Sequence, residues 1–371
     1  MKLGRFTLHF IKVDFSPMKP SIHLRALSVL AALSTLPLCA QNYKVTGSIP
    51  IGGNGRWDYL TVDSPDRRLF VSHGTEVDVV DLQSNKLVGK IDGLGGVHGI
   101  AIANHLGLGF ISDGKNNQVV AFDLKSLAVK QKIAAGTNPD GIVYDVPTQR
   151  VFAFNGRSKN ATAIDARNLR VVGTIALDGK PEFPVSSGDG FVYANIEDKS
   201  EIAKIDPKTL AVKEQWPLSP CESPSGLAMD TTNHRLFSVC DNKMMAIVNS
   251  ENGKVLATPP IGEGPDAAAF DPGTHLAFSS NGESGTLTVI QEEGAGGGGT
   301  MFSPRQAANK FKVVETVQTA KSARTMALDP ETHKIYLSSA TFGSTPAATD
   351  SNPHPRPSVV PGSFKVLIVS K

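Results

Sequence analysis

Apolar and β-branched residues run through this chain in short bursts, each closed off by Gly, Pro, Asn or Asp. The stretch from Asp140 to Ile175, DGIVYDVPTQRVFAFNGRSKNATAIDARNLRVVGTI, shows the pattern most plainly. It predicts strands at Asp140–Asp145, Val151–Phe154, Ala161–Asp165 and Arg170–Ile175. Turns fall at Pro147–Gln149, Asn155–Asn160 and Ala166–Leu169, where Pro, Asn and Gly supply turn geometry.

The same unit recurs. First strands align as DYLTVD, HGIAIA, DGIVYD, EFPVSS, SGLAMD, DAAAFD and RTMALD, ending at Asp63, Ala103, Asp145, Ser187, Asp230, Asp271 and Asp329. The steps between these anchors are 40, 42, 42, 43, 41 and 58 residues. Four-strand units at a period of about 40–45 residues are the mark of a β-propeller blade. The sequence therefore predicts an all-β chain, a seven-bladed β-propeller of four-stranded blades. The seventh unit has only Arg324–Asp329, Lys334–Ser339 and Phe364–Val369, so its outer strand must come from Tyr43–Ile49. Such a closure leaves no long edge strand open to aggregation.

Up-and-down blades place the entry to each first strand and the exit of each second strand on one face, around a channel lined by the first strands. Asp58, His98, Asp140, Glu182, Ser225, Asp266 and Arg324 then form a ring at the channel mouth. His73, Asp113, Asn155, Asn195, Asp241 and Asn281 form a shell beside it. A concave cluster of carboxylates, imidazole and guanidinium shifts its own pKa values and suits a cation or a small polar ligand. It is equally the kind of hydrated lining that propeller channels carry without a ligand. His234, His275 and His333 occupy equivalent turns on the opposite face and read as a structural consensus. A divalent metal at the mouth is left open as cofactor, since His73 and His98 lie near carboxylates without HxH or HExxH spacing.

Residues 1–40 break the pattern. Ser28–Leu38 is an apolar run of signal-peptide length, preceded by Lys19 and Arg25 and followed by a small-residue cleavage region ending at Ala40. Met18 offers an alternative start, and Cys39 an alternative lipoprotein signal, although Leu38 is bulky where a small residue is wanted. A buried core helix is the remaining reading of the run. The expected organisation is a signal peptide over 1–40 and one propeller domain over 41–371, periplasmic or secreted, with no transmembrane segment after cleavage. The leader carries five basic residues against Asp14, a net of +4; the whole chain is +2, so residues 41–371 come to about −2. A nucleic-acid partner, which needs concentrated positive charge, thereby loses its support.

Cys221 lies just before the first strand of the fifth unit and Cys240 ends its second strand. Antiparallel pairing brings these positions to one rim, and an exported chain meets an oxidising compartment, so a Cys221–Cys240 disulfide is expected. Two free thiols or a pair of soft metal ligands are the alternatives. Two excursions interrupt the repeat. Glu292–Asn309 contains the run Gly296–Gly299 and reads as a far-face linker, because no helix follows to make it a phosphate loop. Ala340–Ser363 is rich in proline and joins the second and third strands of the last unit, which puts it on the mouth face as a candidate cover with His354 and Arg356 as contacts. Asn160-Ala161-Thr162 fits a glycosylation sequon in a turn.

The segments VFAFNGRSKNATAIDA, ANIEDKSEIAKIDP, PDAAAFDPGTHLAFSSNG and ARTMALDPETHKIYL resemble the YncE-like, YVTN-type propeller family of exported bacterial proteins. The resemblance covers residues 43–371, with VSHG, ISDG, AFNG and SSNG standing where the family has its tetrapeptide. It implies a seven-bladed propeller in the periplasm or at the cell surface, and it implies no reaction and no catalytic residues.

The leading functional expectation is a non-catalytic, monomeric scaffold whose mouth face takes a small polar ligand or a protein partner; the fold alone does not decide this. No nucleophile elbow is present. The alternative is a metal-assisted hydrolase or lactonase, with Glu182, Asp140 and Asp266 as ligands or bases and His98 as acid/base. A redox-associated periplasmic propeller is weaker still, there being no CxxCH motif.

Overall fold

The second and third strands of every unit are almost wholly buried, whereas the fourth strands are mostly exposed or half-buried. In the computed structural model, which describes residues 12, 42–53, 56–293, 310–347, 349, 355 and 357–371, that difference has a simple cause. The strands form seven four-stranded antiparallel sheets arranged as the blades of a β-propeller. Inner blade strands are packed on both faces by neighbouring blades, so Arg150–Asn155 and Asn160–Asp165 are buried almost throughout. The outer strand Arg170–Ala176 buries only Ile175. The core is accordingly a set of interblade layers: Phe70, Val77 and Val79 of blade one meet Ile111, Val120 and Phe122 of blade two.

Strand boundaries fall within about a residue of the pattern, as at Pro139–Asp145, Arg150–Asn155, Asn160–Asp165 and Arg170–Ala176. The ring closes as expected. Lys44–Pro50 pairs antiparallel with Lys365–Ser370 and completes the sheet that holds Lys334–Ser339 and Met326–Asp329. Cys221 and Cys240 are joined by a disulfide with Cα atoms 5.6 Å apart, beside the first residue pair of that blade, Pro224 with Cys240. In blade six, Thr286–Glu293 and Lys310–Gln318 pair out to Glu293 opposite Lys310. The glycine run Gly296–Gly299, His354, Arg356 and the leader over 1–40 apart from Lys12 lie outside the described residues.

The anchor aspartates tie one blade to the next. Asp63 accepts from Asn104 of blade two at 2.8 Å, and Asp145 from Ser186 of blade four at 2.7 Å. Asp271 pairs with His333 of blade seven at 2.8 Å. Asp329 accepts from Ser64 and Arg67 of blade one at 2.8 and 2.5 Å, beside the closure. All four carboxylates are 0–1 % exposed. They also cap their own turns, as Asp271 does for Gly273 and Thr274. The repeated turn histidines have a backbone reason: His234, His275 and His333 hold φ of 56°, 55° and 57°, a left-handed position each blade needs before its second strand.

Breaking a buried, hydrogen-bonded charge pair leaves a desolvated group uncompensated. Asp329→Ala is therefore expected to lower unfolding stability by about 3 kcal/mol, while Asp66→Ala, an exposed carboxylate in the same region, changes it by less than about 0.5 kcal/mol. Urea unfolding of the two variants checks this.

Candidate functional site

The first strand of each of blades one to six carries one more residue than its partner at the end nearest the channel mouth. Trp57 faces His73 and Leu60 faces Val71, so three steps on one strand match two on the other. The same break lies between Val97 and Ile100, Pro139 and Ile142, Pro181 and Pro184, Pro224 and Leu227, and Pro265 and Ala267. A β-bulge of this kind re-aims side chains, and here the freed residues are Asp58, His98, Asp140, Glu182, Ser225 and Asp266. Arg324, in blade seven, stands just ahead of Met326–Asp329.

These side chains meet across blades. His98 Nδ1 lies 2.7 Å from Asp58 Oδ2 and 3.6 Å from Asp140 Oδ1. Arg324 pairs with Asp266 at 2.9 Å. Lys180, which the sequence reading did not single out, pairs with Glu182 at 2.6 Å and also with Glu197. Ser225 is turned away from this chemistry and donates its hydroxyl to the Pro265 carbonyl at 3.1 Å.

Buried serines in the second strands hold the ring backbone. Ser72 Oγ accepts from the Asp58 amide at 2.7 Å, and Ser112 Oγ accepts from the Gly99 amide at 2.7 Å and donates to the Asp140 carbonyl. Ser280 likewise donates to the Arg324 carbonyl.

The shell residues are placed differently from the ring. Asp113, Asn155, Asn195 and Asn281 are fully buried, and His73 is 8 % exposed. Asp113 accepts from the Gly95 and Gly96 amides, both at 2.9 Å. Asn155 donates to Asn160 and Thr162, and Asn281 to Thr286 and Thr288. His73 bonds Asp78 at 2.7 Å in the matching place in blade one. These side chains tie each second strand to the third. Asn195 and Asp241 sit one residue off the expected register: Ile196 and Cys240 are the residues opposite Pro181 and Pro224. Asn195 instead takes the serine role, donating to the Ser225 and Gly226 carbonyls.

Like charges crowded in a low-dielectric mouth disfavour ionisation. Burial and repulsion by Asp140 raise the Glu182 carboxyl despite Lys180. Burial, then Asp58, raises Asp140. Burial outweighs Arg324 and, with Asp58 and Asp140, brings Asp266 up to about 7. Burial pulls the His98 imidazole down, but the hydrogen bond it donates to Asp58 and the charges of Asp140, Asp58 and Glu182 win and lift it to about 9. Tyr59, half-buried and facing the same four carboxylates, is raised by desolvation and their charges well above an ordinary phenol. Below the ring, Tyr59 packs on Phe183 with centroids 4.9 Å apart. Both line the upper part of a cavity of about 480 Å³ that continues past Ile102, Val185 and Met229. The site is thus a charged mouth over a channel lined by both apolar and polar side chains, Thr61, Ser186 and Thr231 among them. The base of the proline-rich excursion lies nearby: Phe342 bridges to Val359 and packs 6.0 Å from Trp57.

No protein-family model and no curated protein sequence matches the chain. Solved structures do. A chain of hydrazine synthase from Kuenenia stuttgartiensis superposes with a TM-score of 0.64 at 16 % identity, over 77 % of this chain and 93 % of that one. The structure of U3-55K gives 0.69 at 9 % identity, over 86 % and 97 %. The RRP9 WD40 repeats give 0.69 at 9 % identity, over 87 % and 97 %. At these identities the likeness is one of fold alone, a β-propeller.

A histidine raised to about 9 from 6.5 binds more protons folded than unfolded between those values, so its contribution to stability is full below 6.5 and is lost as pH rises through 9. A carboxylate raised to about 7 from 3.8 adds a cost over that interval in the same direction. The melting temperature is therefore expected to fall from about pH 5 to about pH 9, with His98→Gln removing the upper part of that fall. Proton NMR of His98 should show a midpoint near 9 that drops in Asp58→Asn.

Proposed function

We propose that this chain is an exported, non-catalytic binding propeller of the YncE-like, YVTN-type family that engages a small polar ligand, or a cationic group of a protein partner, through its channel mouth. The observation that carries the reading is the convergence of Asp58, Asp140, Glu182 and Asp266 from four blades onto one mouth, where His98, Arg324 and Lys180 are their direct ion-pair partners. Carboxylates outnumber the permanently charged partners, and burial holds several of them above the ordinary range. A ligand bringing positive charge relieves both. Export, with cleavage after Ala40, is supported by the Cys221–Cys240 disulfide, a bond suited to an oxidising compartment. Among the described residues no helix is long and apolar enough to cross a membrane. The mature protein is taken to be a monomer.

A metal-assisted hydrolase or lactonase is the second reading. The observation on its side is that one ligand atom each from Asp58, His98 and Asp140 lies within 4.8 Å of the others.

A thermal-shift screen with small organic cations and short basic peptides tests the leading reading. Hits are expected to raise the melting temperature of the wild type and to lose most of that shift in Asp140→Asn and Glu182→Gln, with Asp66→Asn unaffected. Shifts that survive both mouth variants would count against the mouth as the binding face.

A further inference from the structure

The ring does not treat all of its carboxylates alike. Glu182 has Lys180 and Asp266 has Arg324, each a permanent cation. Among the described residues, Asp58 and Asp140 form ion pairs only with His98, a group whose charge is conditional. With neutral imidazole the three would carry two negative charges in a half-buried place, their side chains 22 %, 18 % and 27 % exposed. The same three groups make a donor set of one imidazole nitrogen and two carboxylate oxygens, within 4.8 Å of one another. Metal–donor distances of about 2.1 Å put tetrahedral ligands about 3.4 Å apart. The His98–Asp140 separation is already 3.6 Å, and the 2.7 Å His98–Asp58 contact needs to open by only ~0.7 Å.

We propose that a divalent transition-metal ion of the zinc or manganese class binds between Asp58, His98 and Asp140, replacing the proton on His98 Nδ1. The inference rests on the reading of the mouth as a cation-binding face and names the cation. Binding releases the Nδ1 proton to solvent, and two carboxylates with a neutral imidazole balance the charge of the ion. Partial exposure leaves coordination positions open toward the mouth, as in sites that take a further ligand.

The support around the donors is built rather than incidental. Buried Ser72 holds the Asp58 amide, and buried Ser112 holds the Gly99 amide and the Asp140 carbonyl. The His98 ring lies against Gly114, where an added Cβ would come within 2.7 Å of its Nε2 and Cδ2. That bare backbone backs the ring on one edge while Nδ1 faces the acids. Outer contacts of this kind fix ligand orientation. His73, Glu76 and Asp78 also approach one another, yet they carry no such inference. Asn155 with Asn160 and Thr162, and Asn281 with Thr286 and Thr288, do the same tying in other blades with no ligand chemistry.

The test is equilibrium dialysis of the chelator-treated protein against Zn²⁺, Mn²⁺ and Co²⁺, with elemental analysis and the visible absorption of Co²⁺. One ion per chain is expected, with affinity falling by at least about 100-fold in Asp58→Asn and in His98→Gln and the Co²⁺ band lost. Asp66→Asn, an exposed carboxylate outside the mouth, should keep both. Each variant is first shown to melt cooperatively, and the pair of variants guards against one failing to fold. No stoichiometric ion, or equal affinity in wild type and both variants, overturns the proposal. If no ion binds while organic cations still shift melting in a Glu182-dependent way, the metal fails and the mouth reading stands; if neither binds, both fail.

Discussion

Everything in this molecule depends on one antiparallel pairing, Lys44–Pro50 against Lys365–Ser370. An open row of blades would leave two sheets with unpaired edges and two apolar faces without a partner. Pairing the first strand with the last converts the row into a ring, and every interblade layer then has two sides. Near the same seam, Asp329 reaches from blade seven to Ser64 and Arg67 of blade one. Only a closed ring points the first strands at a common axis, so the convergence of side chains at the mouth is a consequence of closure rather than of any local motif.

Within that ring, one extra residue in each of six blades decides the chemistry. The first strands are otherwise regular and half-buried, and a regular strand sends alternate side chains between blades. The bulge after Trp57, Val97, Pro139, Pro181, Pro224 and Pro265 releases the next residue from that alternation. A polar side chain at this one position faces the channel mouth, and its apolar neighbours still fill the interblade core. The desolvation that raises Glu182, Asp140 and Asp266 follows from crowding these residues at the mouth beside Tyr59 and Phe183. Fold stability and site chemistry are therefore partly opposed, and Lys180, Arg324 and His98 are the cations that make the crowding tolerable.

The fold was legible because its signals are local and repeated: turn residues at fixed offsets, apolar runs of strand length, and a unit that appears seven times. The closure was legible by counting strands. The ring residues were found because repeat alignment keeps equivalent positions together even where no bulge is foreseen. What the sequence did not show depends on register and on contacts between blades. Asn195 looked like the counterpart of Asn155 and Asn281, but blade four pairs Ile196 with Pro181, and Asn195 does the work of a serine. Lys180 escaped notice because it precedes the strand; its position two residues before Glu182 was the available signal. The shell side chains read as candidate donors because turn-forming Asp and Asn look the same in one dimension whether they face a ligand or a neighbouring strand.

The claim on which the site rests is that Asp58 of blade one and His98 of blade two meet at the axis. A double-mutant cycle of Asp58→Asn and His98→Gln, measured by denaturant unfolding near pH 6, tests it directly. A charge-assisted contact between partly buried groups predicts a coupling of about 1–3 kcal/mol. Additivity within about 0.5 kcal/mol would mean that the two side chains do not touch, and the arrangement of the mouth described above would be wrong.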